Sequence, residues 1–433
     1  MIVRASTIAN HVPAGRNGSG VGDACALAGR DASAPVADGC EVTLLWGREG
    51  LETIAAEQDR LTRTLDAERL ANFIDWYTCH LNVFARDCDD VLFCVVWRNG
   101  SAAAIIPFHT SSRRLLGIRT VGLELPNEPH MPTGDSIVTD GTEPEEYVPA
   151  IVEKLLSEPR LRWHYLRFVN VRRDCACAMA FARHFGASYA IQRVGGSDWC
   201  PVLPEEQFLA RLAKNFARKL RQNRKRLAAT AEAGFVSVSA LPELDQAFEE
   251  FLDAEASSWK GAQGTRTAMR FDLPLQSFYR QLLRRFGARR RCTIHLLRVG
   301  DRTIAGQFAI TSGDGVYLLK IGYNEDYARL SPGVMLLDHL FCSAASDPSI
   351  QRVSFTNDMP WMKDWQPQCQ ELFDVCIFRR TLAGRIARAS WRLSRAVLFC
   401  RRTWAGPLWR RLFGTQQQRF KRNARNKSTE GPA

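Results

Sequence analysis

Apolar positions along the first half of the chain fall into short runs with two different periods. Apolar side chains three and four residues apart predict helices, and Asp66 suits the N-cap of the first of them. Unbroken or alternating apolar runs predict strands, and Asn99-Gly100 predicts a tight turn between two of them. The pattern predicts, in order, a helix over 66–80, strands over 91–97 and 102–108, a helix over 145–156 and a strand over 163–171.

The second half of the chain shows the same plan. Its pattern predicts strands over 293–299, 303–310 and 316–321, a helix over 334–345 and a strand over 352–356. The hairpin segments 92–108 and 294–310 share a strand, a Gly-containing turn, small residues and a returning strand. This weak internal repeat predicts an α/β (α+β) protein with two tandem domains, each with a mixed, largely antiparallel sheet flanked by helices.

Composition and charge divide the chain further. Of the 433 residues, 45% are hydrophobic and 24% are charged, which is typical of globular proteins. Residues 1–40 are rich in Gly, Ala, Ser and Asp and predict a disordered leader. The expected division is therefore this leader, domains at 41–200 and 201–380, and a basic tail at 381–433.

Basic residues are concentrated at the end of the chain. The net charge is +12, yet residues 379–433 contain fifteen Lys or Arg and one acidic residue, so the preceding residues are close to neutral. The arginines lack an accompanying zinc or aromatic-stacking module, so nucleic acid is not the expected partner.

Thirteen cysteines form no disulfide framework, which favours a reducing cytosol, and Cys175 and Cys177 lack a second pair for a metal site.

A helix predicted over 204–227 has an apolar stripe and a strongly basic face. Between Arg211 and Arg226 there are eight basic residues and no acidic one. Like charges on one helix repel each other, so a bound anion such as a phosphate would stabilise this face. A simply solvated surface explains the run equally well. Arg218, in the middle of the run, is the candidate anion-binding residue.

Three sequence blocks over about 110 residues carry a family resemblance. The blocks are Glu-Ala-Ser-Ser-Trp-Lys-Gly at 255–261 followed by Gly264-Thr265, the stretch IGYNEDYARLSPGVMLLDHLF at 321–341, and Asn-Asp-Met-Pro-Trp-Met-Lys-Asp-Trp at 357–365. They resemble conserved segments of the CelD/BcsL-like acyltransferases of the GNAT superfamily, which are related to the FemAB peptidyltransferases. Trp361 departs from the usual pattern of the third block. The resemblance implies two GNAT-like domains.

The start of the helix after Ser331-Pro332-Gly333 is the candidate donor site. Ser is a good N-cap, Pro suits the first helical position, and Gly leaves the backbone open. Helix N-termini bind phosphate through free N–H groups. An ordinary loop-to-helix turn would look the same, but the resemblance implies that acyl-CoA, the acyl donor, binds here through Ser331, Gly333 and Val334.

The resemblance also implies which residues act on the acceptor. Asp358 and Lys363 are the candidate catalytic residues, with Asp358 orienting or deprotonating an amine or hydroxyl; a plain salt bridge is the alternative. Trp259 and Lys260 could line a cleft or be ordinary core and surface residues. The candidate substrate-binding residues are Glu255, Trp259, Lys260, Tyr323, Asn324, Trp365 and Arg218. No metal is expected.

The expected function is acyl transfer from acyl-CoA to an amine or hydroxyl of a cell-envelope or exopolysaccharide-related acceptor. Direct transfer needs a base and an oxyanion-stabilising donor, and the sequence has no Gly-x-Ser-x-Gly nucleophile elbow. Two alternatives remain open. One is FemAB-type transfer from an aminoacyl-tRNA, and the other is a non-catalytic, membrane-associated assembly factor on a GNAT scaffold.

The tail has the pattern of an amphipathic basic helix. Its apolar residues recur every three or four positions, at Leu382, Ile386, Ala389, Leu393, Val397, Cys400 and Trp404. Such helices bind membrane interfaces, so residues 382–413 are expected to contact an anionic membrane surface. The alternative is a helix that packs on the body. The predicted location is cytoplasmic, peripherally attached to the inner face of the membrane.

Overall fold

The computed structural model describes residues 40–64, 74–84, 90–115, 118–126, 137–186 and 188–400. The predicted leader, except for its last residue, and the tail beyond 400 lie outside the described residues, as do Asp66 and the first part of the helix predicted over 66–80. The disorder of the leader and the amphipathic pattern of the tail beyond residue 400 therefore stay predictions.

The first half of the chain alternates helices and strands as expected. Its elements are β1 (Cys40–Trp46), α1 (Gly47–Thr64), α2 (Ile74–Val83), β2 (Val91–Arg98), β3 (Ser101–Leu115), β4 (Ile118–Glu124), β5 (Val138–Thr139), α3 (Pro144–Ser157), β6 (Tyr165–Val171), α4 (Ala176–His184) and β7 (Tyr189–Pro201). Asn99 and Gly100 both have positive φ in the turn between β2 and β3.

The second half contains α5 (Glu205–Arg211), α6 (Lys214–Ala228), β8 (Ala233–Val238), α7 (Leu241–Ala256), α8 (Leu273–Ala288), β9 (Cys292–Val299), β10 (Arg302–Ser312), β11 (Gly315–Tyr323), α9 (Pro332–Ala345), β12 (Arg352–Ser354), β13 (Gln368–Phe378) and α10 (Leu382–Cys400). Short 3-10 helices lie at Met269–Phe271, Glu325–Leu330 and Pro360–Trp365.

The described strands form one sheet flanked by helices, which confirms the mixed α/β fold. The strand order is β1-β2-β3-β4-β6-β13-β7-β12-β11-β10-β9-β8, with β5 beside β3. The pairs β4–β6 and β11–β12 are parallel, and the other neighbouring pairs are antiparallel. The expectation of a largely antiparallel arrangement is confirmed.

The internal repeat is confirmed by the topology. Strands β1, β2, β3, β4 and β6 follow one another as β8, β9, β10, β11 and β12 do, with matching parallel and antiparallel pairs. Two helices follow the first strand of each half, and one helix lies between the fourth and fifth strands. The hairpins 92–108 and 294–310 occupy equivalent places.

The two halves share their last strands, so their sheets join into one. β13, from the second half, pairs with β6, and β7, from the first half, pairs with β12; β7 and β13 also pair with each other. The residue at which one domain ends and the next begins, placed by the sequence at 200/201 and at 380/381, stays a prediction.

Two predicted elements differ in extent. The helix predicted over 204–227 is broken into α5 and α6, because Leu212 and Ala213 have extended backbone and Leu212 turns into the core. The strand predicted over 352–356 ends at Ser354, since Thr356 has a φ of 64°.

The helices α2 and α8 pack the two halves together on one face of the sheet. Trp76 is fully buried among residues of α7 and α8, with its ring 5.3 Å from that of Phe278. Beside it, the buried carboxylate of Asp75 pairs with Arg285 (3.3 Å) and Arg289 (2.8 Å). The opposite face near β12 is covered by α5, α6 and α9.

Replacing Trp76 should destabilise the whole chain. We expect Trp76→Ala to lower the free energy of unfolding by about 3–5 kcal/mol, because a fully buried indole is lost and a cavity remains. Urea denaturation followed by circular dichroism measures the change. Trp259→Ala is the matched control, since Trp259 is 52% exposed and its loss should cost little. Equal losses in both variants would contradict this role of α2.

Candidate functional site

β11 has an open edge at residues 318–323. The parallel pair with β12 covers only residues 315–317, so β11 runs six residues beyond its last partner. Along this edge the carbonyl oxygen of Ile321 points away from β10 and accepts a bond from Lys260 Nζ (3.3 Å). The chain that follows β12 borders the other side of the resulting gap. A gap between two parallel strands exposes backbone groups to which a ligand can bind.

The start of α9 lies beside this gap. Ser331 is left-handed (φ 52°), and its side chain makes no capping bond, so the expected Ser cap is wrong in detail although Ser331 does hold the N-cap position. A Cβ on Gly333 would lie 3.3 Å from Tyr323 Cδ1 and 3.7 Å from Ile321 Cδ1. The first turn therefore lies directly over the open edge, where the N–H groups of Gly333 and Val334 have no preceding helical carbonyl to bind.

The basic helix α6 is fixed against the start of α9. Arg224 makes a bidentate pair with the buried Asp338 of α9, with distances of 2.6 and 2.8 Å. The hydrogen bonds to Asp338 raise the pKa of Arg224 further above its usual range. Arg226 Nη1 donates to the carbonyl oxygen of Arg329, two residues before Ser331. Arg218 and Arg221 of the same helix are exposed.

A second group of predicted residues lies on the opposite face of the sheet. Glu255, at the end of α7, is 1% exposed and uses both oxygens: Oε1 contacts Lys260 Nζ (3.0 Å) and Oε2 accepts the N–H of Met269 (2.9 Å). Lys260 thus joins α7 to the open edge of β11. Trp259, next to it, is half exposed, and Lys260 Nζ lies 5.9 Å from its ring centroid.

Asp358 and Lys363 follow β12 and lie near β7 and β13. A Cβ on Gly196 of β7 would collide with Cys369 Sγ and would come within 3.3 Å of Asp358 Oδ2. Asp198, two residues further along β7, is 4% exposed and lies opposite Cys369 of β13 in the sheet. Burial and the nearby Asp358 carboxylate raise the pKa of Asp198.

The residues predicted to catalyse the reaction or to bind the acceptor therefore form two groups, one on each side of the gap. Glu255, Trp259 and Lys260 lie around the edge of β11, whereas Asp358 and Lys363 lie beyond β12. Two other candidates hold structure in place. Trp365 is 2% exposed in the core beside Phe341 (ring centroids 5.4 Å apart), so it does not line the gap, and Asn324 is buried with its side chain bonding the N–H of Asp326.

Asp198 is absent from the sequence prediction. It lies on the last strand of the first half, about 160 residues before Asp358, and no motif surrounds it. Only the pairing of β7 with strands of the second half brings Asp198 beside Asp358 and Cys369, so the spacing of residues along the chain does not predict it.

In the first half, the junction between β4 and β6 corresponds to the gap between β11 and β12, and it is closed. β4 ends at Glu124, which pairs with Arg167, so the strand has no residues beyond its parallel partner β6. The ring of Tyr165 lies against Gly122, and its hydroxyl donates to Glu124 Oε1 (2.7 Å). Arg167 contacts both Glu124 (2.8 Å) and Asp374 of β13 (2.6 Å). Within the described residues, the open edge therefore belongs to the second half.

The open edge lies in a recognisable domain. Residues 214–361 match the acetyltransferase (GNAT) domain family. The match begins at α6, includes the α9 start and Asp358, and supports the GNAT superfamily rather than the narrower CelD/BcsL-like group. No curated protein matches the chain.

Several solved structures are similar to this chain over most of its length. A conserved protein of unknown function from Bacteroides thetaiotaomicron has 12% identity and a TM-score of 0.49, and the match covers 75% of this chain and 97% of that one. L-PGS from Bacillus licheniformis has 11% identity, a TM-score of 0.47 and coverage of 77% and 94%. A tandem GNAT protein from the clavulanic acid biosynthesis pathway has 13% identity, a TM-score of 0.43 and coverage of 78% and 98%. Similarity at this level says nothing about activity.

None of the helices in the described part of the chain has the length and apolar character needed to cross a membrane. In the same residues, no three His, Cys, Asp or Glu side chains are grouped as metal ligands would be.

The contact between Asp198 and Cys369 should control the reactivity of that thiol. Burial and the Asp198 carboxylate raise the pKa of Cys369 to about 12, so on the order of one thiol in ten thousand is ionised at pH 8. We expect Asp198→Asn to lower this pKa and to speed alkylation of Cys369 by iodoacetamide at pH 8 at least about tenfold. Mass spectrometry of the labelled peptide measures the rate.

Cys342 of α9 is the internal control for this experiment. It is also exposed, but its raised pKa comes from burial and Asp338, so its alkylation rate should be the same in both proteins. A Cys369 rate that Asp198→Asn leaves unchanged would contradict the electrostatic link.

Proposed function

We propose that the protein is an acyltransferase that moves an acyl group from acyl-CoA to an amine or hydroxyl of an acceptor. The observation that carries this proposal is the open edge of β11, which leads to an α9 N-terminus without a side-chain cap. An acyl-CoA whose thioester arm lies along the strand edge would bring its phosphates to the free N–H groups. The match of residues 214–361 to the GNAT domain supports the same function.

The donor end of the site would be formed by α9 and α6. The N–H groups of Gly333 and Val334, with the positive end of the helix dipole, suit the diphosphate of coenzyme A, and Ser331 offers a free hydroxyl beside them. The exposed Arg218 and Arg221 of α6 add positive charge along the adjacent helix. The bidentate pair between Arg224 and Asp338 keeps α6 in this position.

The acceptor would lose its proton to a carboxylate beyond β12. Asp358 is the proposed base, and it lies near Asp198, whose pKa is raised by burial and by the Asp358 carboxylate. Lys363, which lowers the pKa of Asp198, would limit the negative charge there. Trp259 and Lys260 would border the acceptor from the α7 side of β11, with Glu255 holding Lys260 in place. Tyr323 would contact the substrate from the other face, beside Gly333.

The resemblance to CelD/BcsL-like proteins suggests a cell-envelope or exopolysaccharide-related acceptor. It also suggests a cytoplasmic protein attached peripherally to the membrane. The structure of α10 bears on the attachment: Ala387 and Trp391 pack on the body near Phe378, whereas Leu382 and Leu393 are 74% and 64% exposed. We infer that this second apolar face of α10, with the exposed Arg385 and Arg392 beside it, contacts an anionic membrane.

Blocking the start of α9 tests the donor site. We expect Gly333→Val to lower the affinity for acetyl-CoA by at least about tenfold (about 1.4 kcal/mol), because the added methyl groups fill the space next to the free N–H groups. Isothermal titration calorimetry measures the affinity, and the melting temperature shows whether the variant is folded.

Gly234→Val is the matched control, since a Cβ at Gly234 of β8 meets no atom within 4 Å. An unchanged affinity in Gly333→Val would contradict the donor site. A wild-type protein that binds no acyl-CoA of any chain length would instead favour the aminoacyl-tRNA donor of the FemAB alternative.

The exposed face of α10 can be tested without uncovering the core. Truncation would expose Phe378, so we use the double variant Leu382→Ser/Leu393→Ser in the full chain. We expect it to sediment at least about tenfold less with vesicles of equal parts phosphatidylglycerol and phosphatidylcholine, because two leucine side chains no longer enter the interface. Leu156→Ser, at a 46% exposed position of α3, is the control. Sedimentation equal to that of the wild type would refute the membrane contact.

A further inference from the structure

Lys320 lies on the α7/α8 side of the open edge, and the surroundings of its ammonium group are called the recess. β11 has a bulge at Leu319, because Phe308 of β10 pairs with Lys320 while the next residue, Ala309, pairs with Leu318. The ammonium group of Lys320 lies 5.7 Å from the ring centroid of Tyr279, a fully buried residue of α8. Lys320 itself is only partly exposed.

Three other charged groups lie around Lys320, two carboxylates and one ammonium group. The charged groups that face Lys320 are Glu255 from α7, Lys260 from the following loop and Asp272 from the start of α8. Glu255 already binds Lys260 and the N–H of Met269, and Asp272 caps α8 by accepting the N–H of Leu275 (3.0 Å). In the described part of the chain, no carboxylate oxygen lies within ion-pair distance of Lys320 Nζ. Both carboxylates thus bind other groups, and among the described residues Lys320 has no ion pair of its own.

A partly buried cation without its own carboxylate is unfavourable in the free protein. Burial lowers the pKa of Lys320 to about 8, and Lys260 adds to this effect. Lys320 remains mainly protonated at pH 7, so its unpaired charge persists there. An anion that entered the recess would remove this penalty and would gain a charge-assisted hydrogen bond.

The recess opens on the side of the sheet opposite the donor phosphates. Side chains alternate along a strand, and here Ile321 and Tyr323 face the start of α9 whereas Gly322 faces Glu255. Lys260 reaches from the α7 side to the carbonyl oxygen of Ile321 at the gap. A group carried through the gap from the α9 side would thus emerge beside Lys260 and Lys320.

On the basis of the acyl-transfer function proposed above, we propose that the acceptor carries an anionic group, a carboxylate or a phosphate ester, that binds Lys320 in this recess. Lys320 is then a specificity-determining residue. It orients the acceptor by its anionic group while the amine or hydroxyl points into the gap. Lys260 is held by Glu255 and contributes positive charge without leaving its place.

The test follows the ionisation of Lys320 directly. Full-length protein labelled with ¹³C at the lysine ε-carbon is titrated from pH 6 to 11 by NMR at constant ionic strength, in chloride, acetate or inorganic phosphate. The signal that disappears in Lys320→Met identifies the residue. An anion that binds the protonated form raises the midpoint, so we expect the midpoint near pH 8 to rise by about 0.5 or more in acetate or phosphate.

The exposed Lys154 of α3 is the control lysine, whose midpoint should not move. A shift in acetate alone assigns a carboxylate, and a shift in phosphate alone assigns a phosphate ester. No shift, or a shift equal to that of Lys154, overturns the proposal. Because no acyl-CoA is present, a failure of the donor site would leave this result unaffected, and the two failures can be told apart.

Discussion

The antiparallel pairing of β7 with β13 is the constraint on which the rest of the structure depends. These strands pair from Gln368 opposite Trp199 to Ile377 opposite Tyr189, and each belongs by sequence to the half opposite its outer neighbour. The pairing fixes β6 and β12, and with them the parallel strands β4 and β11, at set distances in one sheet. Because α9 and the gap are attached to β11 and β12, their geometry depends on a strand from the first half.

The repeated topology gives two equivalent places for a gap, and side chains decide which one is open. In the first half, β4 stops where its pairing stops, and Tyr165, Glu124 and Arg167 fill the junction with hydrogen bonds and ion pairs. In the second half, β11 continues for six residues past its last pair with β12. Its neighbouring glutamate, Glu255, approaches from the helix side and contacts Gly322, so the strand edge remains free.

Local patterns in the sequence predict the local structure well. The Asn99-Gly100 turn, the strands on either side of it and the helix after Pro332 follow from turn chemistry, alternation and capping preference. The exchange of β7 and β13 could not be predicted, because an alternating strand pattern does not identify its partner. The break at Leu212 was missed because its neighbours all favour a helix, and only the core shows that Leu212 must turn inward.

Prediction of the candidate site has the same limit. The residues at the start of α9 could be named because Pro and Gly at a helix start have a local meaning. Trp365 was assigned to substrate because a Trp in a loop looks the same whether it is buried or exposed. Asp198 and Lys320 are single charged residues on strands. They are distinguished by which residues lie near them in the folded chain, and the sequence does not contain that information.

The closed junction also explains how the first half supports a site that lies mainly in the second half. Asp374 lies on β13, five residues after Cys369, and Arg167 joins it to Glu124 across β6. Both carboxylates are buried, so removing the arginine would leave two uncompensated charges, at a cost of about 3–5 kcal/mol. The network holds β13 in register beside β7, and that register places Cys369 opposite Asp198. The ion pairs that close one gap thus hold the strands that border the other.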